Sequence, residues 1–325
     1  MFVVGGESLI DLKAEVVLAD GAIIGRDGEN QIVMTAHPGG SPYNCAIALA
    51  KLGNDTGFLC PISKDAFGDY LLGPLAEAGV TPLLPERVSE YTTLAVINFD
   101  ANHNARYGFY READGAIDAV TAIAALPDRL ELYQIGGFCP IKPDEAQAWL
   151  QVVQAAIGKG ATISIDPNVR PSLVDDFAGY KARLSRFLDL AHVVKVSEED
   201  LEALDGSLSI EQHAEALLAR PSCELVVVTL GEKGSRAFTA SGEATAAIYA
   251  PPVFGDTVGA GDSLMAGILS WLGERGLLKP GKLEGLGAGA LSDMLRFGAV
   301  VAGINCGRKG CKPPTRAEVD AVLMG

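Results

Sequence analysis

Apolar positions along the chain fall into two registers. The first alternates short apolar runs with longer segments of helical spacing, punctuated by glycine. Residues 2–6 predict a short buried strand. Cys45, Ala46, Leu49 and Leu52 share one helical face, so 41–52 predicts a helix stopped by Gly53. A strand over 56–62 and a helix over 67–78, closed by Gly79, repeat the unit. A strand at 132–138 leads to a helix at 143–157, with proline at its start and glycines beyond its end. A strand at 161–166 and a helix around 180–188 follow. Residues 193–196 and 225–230 are continuous β-branched runs, the pattern of strands covered on both faces of a parallel sheet. Residues 260–271 and 285–304 predict long, weakly polar helices. The second register is different. Residues 13–36 and 92–110 alternate apolar and polar positions without a helical period, which predicts antiparallel strands forming a small separate sheet. The expectation is one α/β domain over 1–325, carrying a β-sheet excursion at about 12–37 and 92–112 that serves as a lid over a ligand cleft.

Charge narrows the function classes. The 325 residues carry 41 acids against 26 bases, a net charge of -15, which argues against a nucleic-acid binder because a phosphate backbone requires a basic face. A small anionic ligand needs only a local patch. The six cysteines form no C-x-x-C pair and the four histidines are scattered, so a structural zinc is not expected. The segment MFVVGGESLIDL lacks a basic stretch before its apolar residues and reads as a first strand rather than a signal peptide. No uncharged apolar run reaches the ~18 residues of a membrane span. No membrane segment is therefore expected, and the cytoplasm fits.

The densest chemistry lies in Asp256-Thr-Val-Gly-Ala-Gly-Asp262, followed by an apolar helix. Gly259, Ala260 and Gly261 are small residues at a helix start, where unpaired N–H groups and the helix dipole favour an anion. Asp262, in the same turn, is placed to take a proton from a hydroxyl while those amides hold a phosphoryl group. An isolated G-x-G-D reads first as a Gly-rich turn with an aspartate cap, and the motifs around it reverse that reading.

DTVGAGDSLMAG resembles the carboxy-terminal signature of the ribokinase-like sugar kinases, the phosphofructokinase-B family. Gly39-Gly40-Ser-Pro-Tyr-Asn44, with the helix after it, resembles that family's other signature. Thr229-Leu-Gly231-Glu-Lys-Gly234 resembles its nucleotide-binding turn, and the stretch from Arg296 through Ala299 to Gly310 resembles its last helix and loop. The motifs stand in the family's order from about residue 2 to 324. This likeness implies a three-layer α/β/α fold with a mostly parallel central sheet and a small β-sheet lid. It also implies ATP and Mg²⁺, a small-molecule sugar substrate, and a homodimer joined through the lid.

The family's pattern carries over position by position. Asp262 is the implied catalytic base, and the amides of Gly259, Ala260 and Gly261 are the implied anion hole. Asp11 is implied to accept hydrogen bonds from sugar hydroxyls, with Gly39 and Gly40 letting the backbone meet the sugar and Asn44 contacting a hydroxyl or capping its helix. Asn168, Lys195, Thr229, Gly231, Gly234 and Ala299 fall in the implied ATP site. Lys195-Val-Ser-Glu-Glu199-Asp200 replaces the family's N-x-x-E stretch, so Asp200 and Glu199 are the implied organisers of Mg²⁺ through water, with Ser197 open to capping a helix there. Asp256, with carbonyls of Val258, Asn305, Arg308 and Gly310, matches the K⁺ site of some members. Phe109-Tyr-Arg111 and Asp166-Pro-Asn168-Val-Arg170 resemble the fructokinase branch, where Arg111 and Arg170 would face the substrate or its phosphate; Arg111 reads equally as a solvated lid charge. The resemblance therefore implies phosphorylation of a ketose's primary hydroxyl, D-fructose to D-fructose 6-phosphate. A 2-keto-3-deoxygluconate kinase, or another sugar or nucleoside kinase of the family, is the alternative, with Arg111 and Arg170 as partners of the keto acid's carboxylate. A non-catalytic sugar or nucleotide sensor is the alternative of another class, against which the retained Asp262 argues. Gly276 to Lys282 nearly spells a P-loop but lacks the final hydroxyl residue and follows a helix.

Overall fold

The computed structural model describes residues 1–19, 22–24, 33–99 and 105–325. The strands are β1 (Phe2–Gly5), β2 (Leu9–Ala19), β3 (Ala22–Ile24), β4 (Met34–Gly39), β5 (Thr56–Leu59), β6 (Thr81–Pro82), β7 (Leu94–Phe99), β8 (Ala105–Tyr110), β9 (Leu132–Gly136), β10 (Thr162–Asp166), β11 (Val193–Ser197), β12 (Leu225–Thr229), β13 (Ser235–Thr239) and β14 (Gly242–Ala246). The α-helices are α1 (Ser41–Lys51), α2 (Ala66–Ala78), α3 (Ala119–Ala124), α4 (Pro143–Gly158), α5 (Phe177–Leu188), α6 (Glu198–Asp205), α7 (Ile210–Leu218), α8 (Ala260–Glu274), α9 (Ala288–Cys306) and α10 (Arg316–Met324).

The large sheet runs β14-β13-β12-β11-β10-β9-β1-β5-β6. It is parallel from β12 to β6, and only the β12–β13 and β13–β14 pairs are antiparallel. Apolar side chains leave both faces of its strands, which is why those strands read as unbroken hydrophobic runs. On one face Phe2, Val4, Leu132, Val193 and Val227 pack with α1, α8 and α9. On the other Val3, Tyr133, Ile163, Val194 and Val226 pack with α4, α5 and α7. Three layers result, as the family likeness implies.

The second sheet has the order β3-β2-β7-β8, with β4 also paired to β2. The sequence pattern predicts antiparallel strands here, and three of the four pairings agree. The β2–β7 pair is parallel, because both strands enter this sheet in the same direction from the body. Residues 20–21, 25–32 and 100–104 of the expected lid lie outside the described residues. At its base, Leu9 and Ala95 pack on Phe138, a residue of the loop after β9.

Polar side chains tie the loops at the carboxyl ends of the parallel strands. Glu7, just past β1, accepts hydrogen bonds from the N–H groups of Ser41 (3.1 Å) and Phe138 (3.0 Å), joining the start of α1 to the loop after β9. Burial first of all pushes its carboxyl up to about 7. A reciprocal capping box starts α6: Ser197 Oγ accepts from the Asp200 N–H, and Asp200 Oδ2 accepts from the Ser197 N–H. Asp200 Oδ1 accepts the N–H of Val169 at 2.7 Å and so fixes the loop after β10 to β11. Replacing Asp200 with alanine leaves two backbone donors unpaired. Asp200→Ala is expected to cost about 2 kcal/mol in a denaturant titration; an unchanged midpoint would contradict this role.

Candidate active site

Helix α8 begins over the carboxyl ends of β10 and β11. Its N-cap, Gly259, has φ +72°, a left-handed conformation suited to glycine. A Cβ there would stand 2.3 Å from Cys311 Sγ, and one on Gly261 would stand 3.1 Å from Lys195 Nζ. A side chain at 259 would therefore collide and strain the backbone, and one at 261 would press on the Lys195 ammonium. The Ala260 N–H turns back to the carbonyl of Thr257 at 3.1 Å, whereas those of Gly259, Gly261 and Asp262 make no hydrogen bond among the described residues. The open donors therefore keep Gly259 and Gly261 of the expected set and replace Ala260 with Asp262. They form a nest of backbone dipoles fit for a phosphate.

Asp262 stands in the first turn of α8, half-buried. Its Oδ1 accepts from Ser41 Oγ at 2.6 Å and its Oδ2 from Asn44 Nδ2 at 2.9 Å. Burial pushes its carboxyl up to about 6, against the lowering effect of the Ser41 hydrogen bond and with a further upward push from Asp166. Asp11, on β2, faces it. Asp11 is also pushed to about 6, by burial first and by the Asp262 charge second, and its carboxylate has no hydrogen-bond partner among the described residues. A Cβ on Gly39 would lie 2.3 Å from Asp11 Oδ2, so the glycine makes room for this acid. Gly40 holds φ +108° as the N-cap of α1, against the backbone of Glu7. One carboxylate is thus oriented by α1, and the other makes no hydrogen bond among the described residues.

Lys195 and Asp166 form a buried ion pair at 2.7 Å under Gly261. Asn168, after β10, has φ +43°, the only positive φ of a non-glycine residue among those described. Such backbone strain concentrates at functional loops. The exposed Arg170 follows it and donates to the carbonyl of Val169. Thr229 ends β12, and Gly231 and Gly234, both at positive φ, shape the turn into β13. Ala299, on α9, lines a cavity of about 260 Å³ with Ala247, Ile248, Tyr249 and Val300. The Asp256 carboxylate accepts from the N–H groups of Val258 and Gly310, and the Asp256 N–H donates to the carbonyl of Arg308. Asn305 Nδ2 donates to the Val258 carbonyl. All five residues of the expected K⁺ site therefore meet.

Three expectations need correction. Arg111 neither reaches over the cleft nor faces solvent: it is buried, 2.5 Å from Asp114 and 2.8 Å from Glu145, over the ring of Phe138. Two carboxylates in low dielectric outbid a distant ligand for its charge. Asp200 is buried and gives both oxygens to backbone N–H groups, a frame contact rather than an open carboxylate, while Glu199 beside it stays exposed. Asn44 does not cap α1, whose N-cap is Gly40, and its amide nitrogen is committed to Asp262.

Sequence reasoning passed over Ser41, Glu7 and Asp166. Ser41 lay in plain view within Gly-Gly-Ser-Pro-Tyr-Asn, but a partner 221 residues away leaves no local signal. The acids of Glu7 and Asp166 sit at strand ends, where a surface position is the ordinary expectation.

The description "pfkB family carbohydrate kinase" matches residues 2–318. Fructokinase-2 of Solanum lycopersicum is 30% identical over 296 residues, spanning 89% of this chain and 87% of its own length. Fructokinase-1 of Oryza sativa subsp. japonica is 30% identical over 88% of each chain. Among solved structures, a fructokinase of Xylella fastidiosa with bound ATP superposes with TM-score 0.81 at 24% identity, covering 99% of this chain and 98% of its own. A ribokinase of Giardia lamblia gives 0.79 at 25% identity with the same coverage. A base-like aspartate beside open amides, on a scaffold shared end to end with these proteins, leads to one conclusion: the chain belongs to the pfkB family of carbohydrate kinases, phosphotransferases that act on a sugar hydroxyl.

Proposed function

We propose that the protein is an ATP-dependent fructokinase that converts D-fructose to D-fructose 6-phosphate. The observation that carries this reading is the facing pair of carboxylates. Asp262 is held by Ser41 and Asn44 beside open N–H groups, and Asp11 has no hydrogen-bond partner among the described residues. A sugar is a row of hydroxyl donors, and a free carboxylate accepts from two of them. Asp262 takes the proton of the primary hydroxyl as that oxygen attacks the γ-phosphorus of ATP in line. The bond to the bridging oxygen breaks, ADP leaves with the electron pair, and the proton stays on Asp262. The amides of Gly259 and Gly261 receive the charge on the transferred group. The cavity at Ala299, where Ile248 and Tyr249 stand beside the charged Arg296, suits the adenine. Mg²⁺, carried in by the phosphates and largely water-bound, would neutralise phosphate charge, with the exposed Glu199 as the candidate outer contact. K⁺ at Asp256 would add positive field beside the cradle. The second sheet, read as a lid, keeps water from competing with the sugar. Val33 and Met34, exposed at the edge of that sheet, suit its pairing with a second copy.

The solved relatives include a fructokinase of Vibrio cholerae O395 in a fructose, ADP and calcium ion bound form, and the plant relatives bear the same name. The fate of Arg111 favours a neutral sugar over a keto acid. Its guanidinium is already neutralised by Asp114 and Glu145, while Asp11 and Asp262 would repel a substrate carboxylate.

Three outcomes test this reading. In a coupled ADP-release assay over fructose, ribose, 2-keto-3-deoxygluconate and nucleosides, fructose should give the highest kcat/KM. Saturation by the keto acid at far lower concentration would overturn the substrate. Asp262→Asn should lose about 10²–10⁴-fold in kcat while calorimetry finds sugar and ATP binding retained; a wild type inert on every sugar would instead support a sensor. Because the base must be ionised, kcat/KM should fall as pH drops through about 6, where Asp262 and Asp11 gain protons, and level off above. A rate flat from pH 5 to pH 8 would contradict Asp262 as the base.

A further inference from the structure

Below the first turn of α8 the large sheet turns polar. Thr162, Ser164 and Asp166 alternate along β10, Gln134 stands opposite Ser164 on β9, and Lys195 follows Val193 along β11. This is the face whose neighbouring positions, Leu132 and Val193, pack in one cluster with α8. Lys195 and Asp166 are 5% and 3% exposed, and they pair at 2.7 Å. The ammonium lies so close under the cradle that a single added carbon on Gly261 would be 3.1 Å from it. Asp166 Oδ1 is buried with no hydrogen-bond partner among the described residues. Taking an ammonium and a carboxylate out of water is costly, and a well-packed apolar pair would be as stable or more so. Nothing in the packing of this layer requires a charge here. The cradle above it does.

We infer that Lys195 is a positioning residue for the reaction: its ammonium, clamped by Asp166 directly under Gly261, fixes positive charge behind the amide nest and keeps the neighbouring Asp262 ready to accept a proton. This rests on the kinase reading above. The groups facing Asp262 are Ser41, Asn44 and Cys45 from α1, Asp11 from β2, Asp166 from β10, Lys195 from β11 and Cys311 from the segment after α9. Of these, the two members of the pair act on Asp262 with opposite sign, Lys195 favouring the carboxylate and Asp166 opposing it.

The opposition supplies the test. The Asp262 carboxyl is titrated by ¹³C NMR in the unliganded protein for wild type, Lys195→Met and Asp166→Asn, and the pH profile of kcat/KM is recorded beside it. Lys195→Met should move the midpoint and the acid limb to higher pH, and Asp166→Asn should move both to lower pH. Lys195→Met should also lose about 10²–10³-fold in kcat, with little change in the sugar KM, and Lys195→Arg should recover part of that loss. Variants that titrate like wild type, or that shift in the same direction, would overturn the inference, and so would opposite shifts accompanied by an unchanged kcat in Lys195→Met, the behaviour of a structural pair that merely lies near Asp262. Where Lys195→Met fails to fold, the nearly isosteric Asp166→Asn decides by its downward shift. A wild type without sugar kinase activity would overturn the kinase reading instead, because the NMR titration needs no turnover.

Discussion

Everything at this site depends on one carboxylate being kept half out of water without being neutralised. Asp262 sits where a helix dipole and open amides favour negative charge, and burial opposes it. The Ser41 hydroxyl and the Asn44 amide orient both oxygens without cancelling their charge, as an arginine or lysine in direct contact would. A neutral pair of donors leaves the carboxylate able to take a proton, and burial brings its midpoint toward neutrality, the range that suits the base role proposed for it. That arrangement explains why α1 and α8, far apart in sequence, must meet at their amino ends.

The surrounding acids follow from the same constraint. Asp11 adds a second charge facing the first, and the Asp262 charge, after burial, raises its affinity for protons. Such repulsion is sustained only if the scaffold is stiff. Glu7 joins the start of α1 to the loop after β9 through two backbone N–H groups, and Asp200 joins β11 to the loop after β10 in the same manner. Arg111, Asp114 and Glu145 close a third buried network where the second sheet meets the body. Carboxylates therefore serve two ends here. Those saturated by backbone or arginine hold the frame, and Asp11, without a hydrogen-bond partner among the described residues, is the one proposed to meet the sugar.

The body of the fold was largely legible in the chain. Buried parallel strands write continuous apolar runs, and the helices that flank them stop at glycines such as Gly53 and Gly79, so β1, α1, β10 and α4 could be read within a few residues. Helices α7 and α10 were passed over although Ser209 with Gln212 and Thr315 with Glu318 spell capping boxes. The parallel β2–β7 pair had no local signal, because strand direction is decided by how the chain returns. At the site, family likeness supplied Asp262, Asp11 and the glycines, yet it could not foresee that Asp114 and Glu145 occupy Arg111 or that Asp200 is spent on the backbone. Those outcomes rest on which partner is nearer in space, a quantity that spacing along the chain does not carry.

The most direct measurement is a crystal structure of the protein with fructose and a nonhydrolysable ATP analogue. The account predicts a primary hydroxyl oxygen about 3 Å from an Asp262 oxygen, secondary hydroxyls on Asp11, and the terminal phosphate on the N–H groups of Gly259 and Gly261. A sugar whose hydroxyls engage neither aspartate, or a phosphate seated away from the start of α8, would contradict it.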